Sequence, residues 1–269
     1  MHMDKKTKVH FLAEELRKPT NPIKINLIGA GGTGSFVLSG LARINEALTA
    51  HGHAGLVVTV WDGDLVTESN IGRQLFASSE IGLSKSVALI NRINRFFGIQ
   101  WYAESRNFPK IVSGLEQKGI TASIYISCVD NVQSRFDLSS VLCNLKKYPN
   151  QLDRPRYWMD MGNSKDSGQV ICATVGRIEQ PPSKKFITME ELPFVTEEYE
   201  TLLREGQEND DTPSCSLVDS LKKQSLFINS TLAGLGCDLL TTLLFDGILV
   251  ERGVLLNLKT KYCRPLPFA

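Results

Sequence analysis

The sequence predicts an α/β protein of Rossmann-like fold, with a mostly parallel sheet that takes antiparallel strands in its C-terminal half. Three observations predict it. Apolar runs of strand length alternate with apolar-periodic runs of helix length from residue 23 to about 150. A glycine-rich turn, GAGGTG at 29–34, lies between the first such strand and the first such helix. After residue 150, two strand-like runs are joined only by a short polar turn, which suits antiparallel pairing.

In chain order, IKINLIG (23–29) reads as a buried strand, SFVLSGLARINEAL (35–48) as a helix and LVVTVWD (56–62) as a second strand. LSKSVALINRINRFF (83–97) has apolar residues at spacings of three and four, the mark of an amphipathic helix. WYAESRNF (101–108) is a weaker third strand. A short helix near Ile111 to Lys118, a strong strand SIYISCVD (123–130) and a helix from about Val132 to Tyr148 follow. This alternation implies right-handed crossovers and helices on both faces of a parallel sheet. YWMDMG (157–162) and GQVICATVG (168–176) flank the turn NSKDSG, and the stretch from Arg177 to Pro213 is long, proline-bearing and acidic, without a clear element. A long helix from about Leu217 to Phe245, a strand VLLNLKT (254–260) and a tail YCRPLPFA end the chain. We read residues 1–269 as one domain: an extension to residue 22, a half from 23 to 150 carrying the glycine turn, and a half from 151 to 269 with a crossover loop at about 177–215.

Composition narrows the possible functions. The chain is 22% charged and 42% hydrophobic, and 30 basic residues against 29 acidic ones give no net field for nucleic acid or an anionic membrane. The N-terminus mixes both charge signs and lacks the apolar core of a signal peptide, so a cytoplasmic location is expected. The longest apolar stretch, 226–250, carries Asn229, Asp238 and Asp246 and is expected to be a buried helix rather than a membrane span. Six scattered cysteines form no CxxC pair, which argues for reduced thiols and against structural zinc. All four histidines lie in the first 53 residues, His51 and His53 in an expected solvated turn. Catalysis in the rest of the chain must therefore rely on Arg, Lys, Asp or Cys.

Gly29, Gly31, Gly32 and Gly34 spell GxGGxG after a strand and before a helix. That is the setting in which backbone N–H groups at a helix start approach phosphate oxygens. Asp62 closes the second strand, where a carboxylate accepts ribose hydroxyl hydrogens. Together they point to a nucleotide. The next segment, WDGDLVTESNIGRQLF, crowds Asp64, Asn70, Arg73 and Gln74 together, and Lys85 opens the following helix. Nicotinamide needs a neutral, dry slot; an arginine and a lysine there match polyphosphate oxygens better. Asp130 ends the 123–130 strand facing the same crevice, and a carboxylate aimed at a polyphosphate implies a Mg2+ ion between them. ATP is thus expected over NAD.

GAGGTG, the pair Asp62 and Asp64, SNIGRQ, Lys85 and CVDN, in this order and spacing, resemble the ThiF/MoeB superfamily, enzymes that activate ubiquitin-like proteins by adenylating their C-terminal glycine. NLIGAGGTGS, NRINRFFG, MGNSKDSGQV, DTPSCS and LFINSTLAGLG resemble more narrowly the PRTRC-system ThiF proteins of bacterial plasmids and islands. The resemblance implies an ATP-dependent adenylyltransferase with Mg2+ on Asp130, acting as a homodimer on a small ubiquitin-fold protein with a C-terminal Gly. It further implies that the four glycines approach the phosphates, that Asp62 takes the ribose, and that Asn70, Arg73, Gln74 and Lys85 surround the triphosphate. Asp64 could instead cap a turn, Asn70 and Gln74 could bond within their loop, and Arg135 could be a surface residue or a phosphate contact. Cys215, just before a helix whose Ser216 and Asp219 imitate a capping box, is a candidate nucleophile or a structural thiol. Arg17, the N-terminal arginine before the first strand, is a candidate for donation across a dimer interface, as in some relatives. Two other functions fit parts of the pattern: a non-catalytic nucleotide-binding scaffold of a plasmid-associated complex, and an NAD-dependent oxidoreductase.

Overall fold

The computed structural model describes residues 6–110, 117–146, 154–207 and 224–268. Strands β2 (Ile23–Ile28), β3 (Leu56–Trp61), β4 (Tyr102–Glu104), β5 (Ile124–Ser127) and β6 (Tyr157–Asn163) form the parallel part of an eight-stranded sheet. Strands β7 (Ser167–Thr174), β10 (Gly253–Asn257) and β11 (Tyr262–Leu266) add to it antiparallel, giving the order β11-β10-β7-β6-β5-β2-β3-β4. The expected mixture of parallel and antiparallel pairing is what forms. The turn between Asn163 and Ser167 is too short for a crossover, so β7 must return antiparallel beside β6.

The helices explain why the central strands are apolar on both sides. Helix α1 (Gly32–Ala50) buries Val37, Leu38, Leu41 and Leu48, and α2 (Lys85–Phe97) buries Leu89, Ile90 and Ile93. Gly98 ends α2 in the left-handed conformation, at φ 68°. The short helix α3 (Gln117–Ile120) precedes β5, and α4 (Val132–Leu145) buries Leu138, Val141 and Leu142 in a second cluster with Trp158.

Several expectations needed correction. The stretch from Arg177 is not featureless: it holds β8 (Ile187–Thr188), α5 (Val195–Glu198) and α6 (Glu200–Gln207) before residue 208. The start at Leu217 of the long expected helix lies outside the described residues; residues 224–227 are not helical, and α7 runs over Ile228–Phe245. The strand expected at 101–108 is confined to Tyr102–Glu104, and of the helix expected near Ile111 to Lys118 only the end falls within the described residues. The N-terminal extension contributes a strand, β1 (Lys8–Phe11), which pairs with β8 on one side and with β9 (Ile248–Leu249) on the other. Beneath it the His10 ring bonds Met189 O through Nδ1 at 2.7 Å and the Tyr157 hydroxyl through Nε2 at 3.0 Å.

Helix α7 is long and apolar enough to cross a bilayer by length and composition. It instead packs against α1 and over β6 and β7, burying Leu232, Leu239, Leu240 and Leu243. Asn229, buried in its first turn, points a carboxamide toward the start of α1.

Candidate active site

The chain reverses its direction of strand addition between β2 and β5: β3 and β4 extend the sheet on one side of β2, while β5 and β6 extend it on the other. Ligands in open α/β sheets bind at such a switch point, beyond the carboxyl ends of the strands. A cleft of about 860 Å³ opens there. Residues from the first turns of α1, α2, α4 and α7 line it.

The glycine turn shows why its residues are small. Gly29 has φ 92°, and a Cβ there would stand 2.7 Å from Cys128 O at the end of β5. At Gly34 a Cβ would lie 1.9 Å from Gly29 O, and at Gly32 it would meet the Asn229 carboxamide at 2.6 Å. Gly31 differs: the nearest atom to a Cβ there is Gln74 Nε2 at 4.0 Å, so its front is open to the cleft.

Asp62, the last buried acid of the β3 strand end, accepts the Ala30 N–H at 2.6 Å through Oδ2 and the Asp64 N–H at 2.9 Å through Oδ1. Burial pushes its pKa above the usual carboxylate range, and the two backbone donors oppose that. Lys85 donates to Asp64 Oδ2 at 2.8 Å, so Asp64, expected from sequence as a cofactor-binding residue or else a turn cap, holds a lysine that is almost buried at the cleft. Arg73 donates through Nη1 to Gln224 Oε1. Burial lowers its pKa, and the field of Asp130, across the same cleft, opposes that. Among the described residues, Arg73 Nε and Gln74 Oε1 are buried polar atoms with no hydrogen-bond partner. Groups of that kind are costly in a finished interior and suit a site that awaits a polar ligand.

On the far side, Arg135 is neither a surface residue nor free to reach out. Its Nε meets both oxygens of Asp160 at 3.0 Å, its Nη2 donates to Val129 O at 2.8 Å, and both side chains are buried. Ser127 donates to Asp160 Oδ1 at 2.6 Å and receives the Trp158 indole N–H at 2.7 Å. Burial holds the Cys128 thiol well above its usual range, so it lines the cleft as a neutral group.

Of the residues singled out by sequence, Gly29, Gly31, Gly32, Asp62, Asp64, Arg73, Gln74, Lys85 and Asp130 all line this one cleft. Two do not. Asn70 is buried with its Oδ1 accepting the Thr67 N–H at 2.9 Å, the loop bonding left open for it beside a place around the triphosphate. Gly34 packs its α-carbon face against Gly29 O, where a Cβ would not fit, so the absence of a side chain lets the start of α1 lie against the turn. Cys215 lies outside the described residues. The Arg17 guanidinium lies against Gly247, past the C-terminal end of α7, about 25 Å along that helix from Asn229 at the cleft. Sequence reasoning missed Asn163, Asn229 and Gln224 as cleft residues. Only Asn229 carried a signal, as a polar residue in an apolar helix.

A family model described as the ThiF family matches residues 3–243. The chain belongs to the ThiF family. Structures with this family's architecture are similar over nearly its whole length. The crystal structure of PaaA matches at TM-score 0.59 and 15% identity, covering 94% of this chain and 65% of that one. E. coli MccB with ATP matches at 0.55 and 13%, covering 96% and 66%, and MccB with AMPCPP and MccA at 0.57 and 14%, with the same coverage. This ThiF-family chain therefore spans about two thirds of the length of those proteins, and at such identities the likeness concerns the fold. No curated protein sequence matches it significantly. The described residues contain no group of three or more His, Cys, Asp or Glu able to hold a metal ion.

Proposed function

We propose that this chain uses ATP to adenylate the C-terminal carboxylate of a small partner protein, a ubiquitin-fold chain ending in Gly. One observation carries the reading: Arg73, Lys85 and Asp130, from three separate segments, line the same cleft as the open face of the glycine turn. The unpartnered Arg73 Nε and Gln74 Oε1 and the space before Gly31 suit a polyphosphate. Asp62 is the ribose acceptor.

A carboxylate is a poor acyl donor because its leaving group would be oxide. In the proposed reaction the partner's carboxylate attacks the α-phosphorus in line, the bond to the bridging oxygen breaks, and pyrophosphate departs. Arg73 and Lys85 neutralise the departing charge, so positioning and electrostatics suffice and no general base is needed. Asp130 is the residue that would hold a Mg2+ ion, and such an ion would supply further neutralisation of the same charge.

The experiment is ATP–pyrophosphate exchange in the presence of a small ubiquitin-fold protein with a Gly-ending tail. Exchange is expected to depend on that partner and to fall at least about a hundredfold in Asp130→Ala, since losing a metal clamp removes several kcal/mol of transition-state stabilisation. ATP binding without exchange would overturn the reading in favour of a scaffold, and intact exchange in Asp130→Ala would overturn the Mg2+ assignment. A second step belongs to the same proposal: the Cys215 thiolate attacks the acyl carbon of the adenylate, a thioester forms and AMP departs, so Cys215→Ala is expected to keep exchange and lose the thioester adduct. The likeness to the PRTRC-system proteins adds an expectation about the neighbouring reading frames, one of which should encode the ubiquitin-fold partner.

A further inference from the structure

Arg73 sits in the irregular segment between β3 and α2, where neither sheet nor helix fixes its backbone. Its guanidinium is nevertheless held. Nη1 donates to Gln224 Oε1, a residue 151 positions later in the chain. Gln224 is itself held from two directions: Asn229 Nδ2 donates to the same oxygen at 3.4 Å, and the neighbouring Ser225 N–H is bonded to Lys165 O at 2.8 Å. Asn229 Oδ1 in turn accepts the Thr33 hydroxyl at 3.0 Å, in the first turn of α1. A chain of side chains thus runs from the Arg73 cation through two carboxamides to the helix that follows the glycine turn.

The chemistry of the holder matters. A guanidinium is a rigid planar fork, so fixing one nitrogen orients the others. A carboxamide oxygen accepts without carrying charge, so it directs the fork and leaves the positive charge available. Among the described residues Arg73 Nε remains buried and without a partner. A carboxylate in the same place would form an ion pair and cancel the charge toward an incoming anion.

We infer that Gln224 is a positioning residue that aims the Arg73 cation at the β- and γ-phosphates of the nucleotide without itself adding a counter-charge. This rests on the ATP reading above. It predicts a selective effect, because AMP has no phosphate beyond the α position for Arg73 to meet.

The test is equilibrium binding of ATP and of AMP to the full chain, in the wild type, Gln224→Leu, Gln224→Glu, Arg73→Ala and the Arg73→Ala, Gln224→Leu double variant. Gln224→Leu is expected to weaken ATP about tenfold, the loss of one aligned charge-assisted contact, and to leave AMP within about twofold. Gln224→Glu, close to the native shape, is expected to weaken ATP at least as much. In the Arg73→Ala background, Gln224→Leu is expected to change ATP binding no further. Equal loss of ATP and AMP, or an undiminished loss in the Arg73→Ala background, would overturn the inference while leaving the ATP reading in place. A wild-type chain that binds neither nucleotide would overturn both.

Discussion

A single methyl group added at Gly34 or at Gly31 should produce opposite outcomes in one loop. At Gly34 the new Cβ would stand 1.9 Å from Gly29 O, about 1.4 Å short of the roughly 3.3 Å at which carbon and oxygen meet. Gly29 cannot retreat, because it is at φ 92° and already close against Cys128 O. The clash is between backbone atoms, so no rotamer change relieves it, and the cost falls at the upper end of overpacking, about 3 kcal/mol or more. For a chain of this size that lowers the melting temperature by roughly 10 °C. At Gly31 φ is −78° and ψ −143°, and the nearest neighbour of a Cβ is 4.0 Å away. Gly31→Ala therefore meets no steric clash and is expected to cost less than Gly34→Ala, about 1–2 kcal/mol, a shift of several degrees. Its methyl points into the space assigned to a phosphate, so ATP affinity should fall although the fold survives. Thermal unfolding without nucleotide, followed by ATP titration of each variant, separates the two. Gly34→Ala melting with the wild type, or Gly31→Ala binding ATP at wild-type strength, would refute the steric reasoning.

Removing Asp160 leaves the buried Arg135 guanidinium unpaired, so Asp160→Ala should lower the unfolding free energy in urea by about 3–5 kcal/mol; a loss below about 1 kcal/mol would contradict the assigned network. His10 titrates in the opposite sense from a salt-bridged histidine. Burial lowers its pKa from 6.5, so below that pH the unfolded chain binds a proton that the folded chain refuses. Its contribution is intact above pH 6.5 and is lost as the pH falls, at up to about 1.4 kcal/mol per pH unit. Unfolding free energies at pH 7, 6 and 5 should show this slope in the wild type and a shallower one in His10→Gln; equal slopes would refute it.

The parallel half was readable in the sequence because its elements are local patterns. β2, β3, β5 and α2 form where apolar period and strand length predict them. The connection after Arg177 was not readable, because β8 and α5 are too short to carry a period and exist through partners far away in sequence: β8 through β1, and α5 through Arg252, which pairs with Glu198. Residues 224–227, just before α7, were expected to be helical and are not, for a related reason: Gln224 and Ser225 have helix-compatible composition but bond Arg73 and Lys165 far away in the chain.

The amino-acid order alone determined the fold class, the glycine turn and the acid and cations around it, since strand–turn–helix geometry places such residues at strand ends whatever packs around them. Packing determined the rest. Gly31 faces the cleft while Gly34 faces Gly29, and Asn70 shapes a loop while Gln224, from the far end of the chain, holds Arg73. Those distinctions depend on which distant groups arrive beside each residue, and contacts across 150 positions leave no trace in local periodicity.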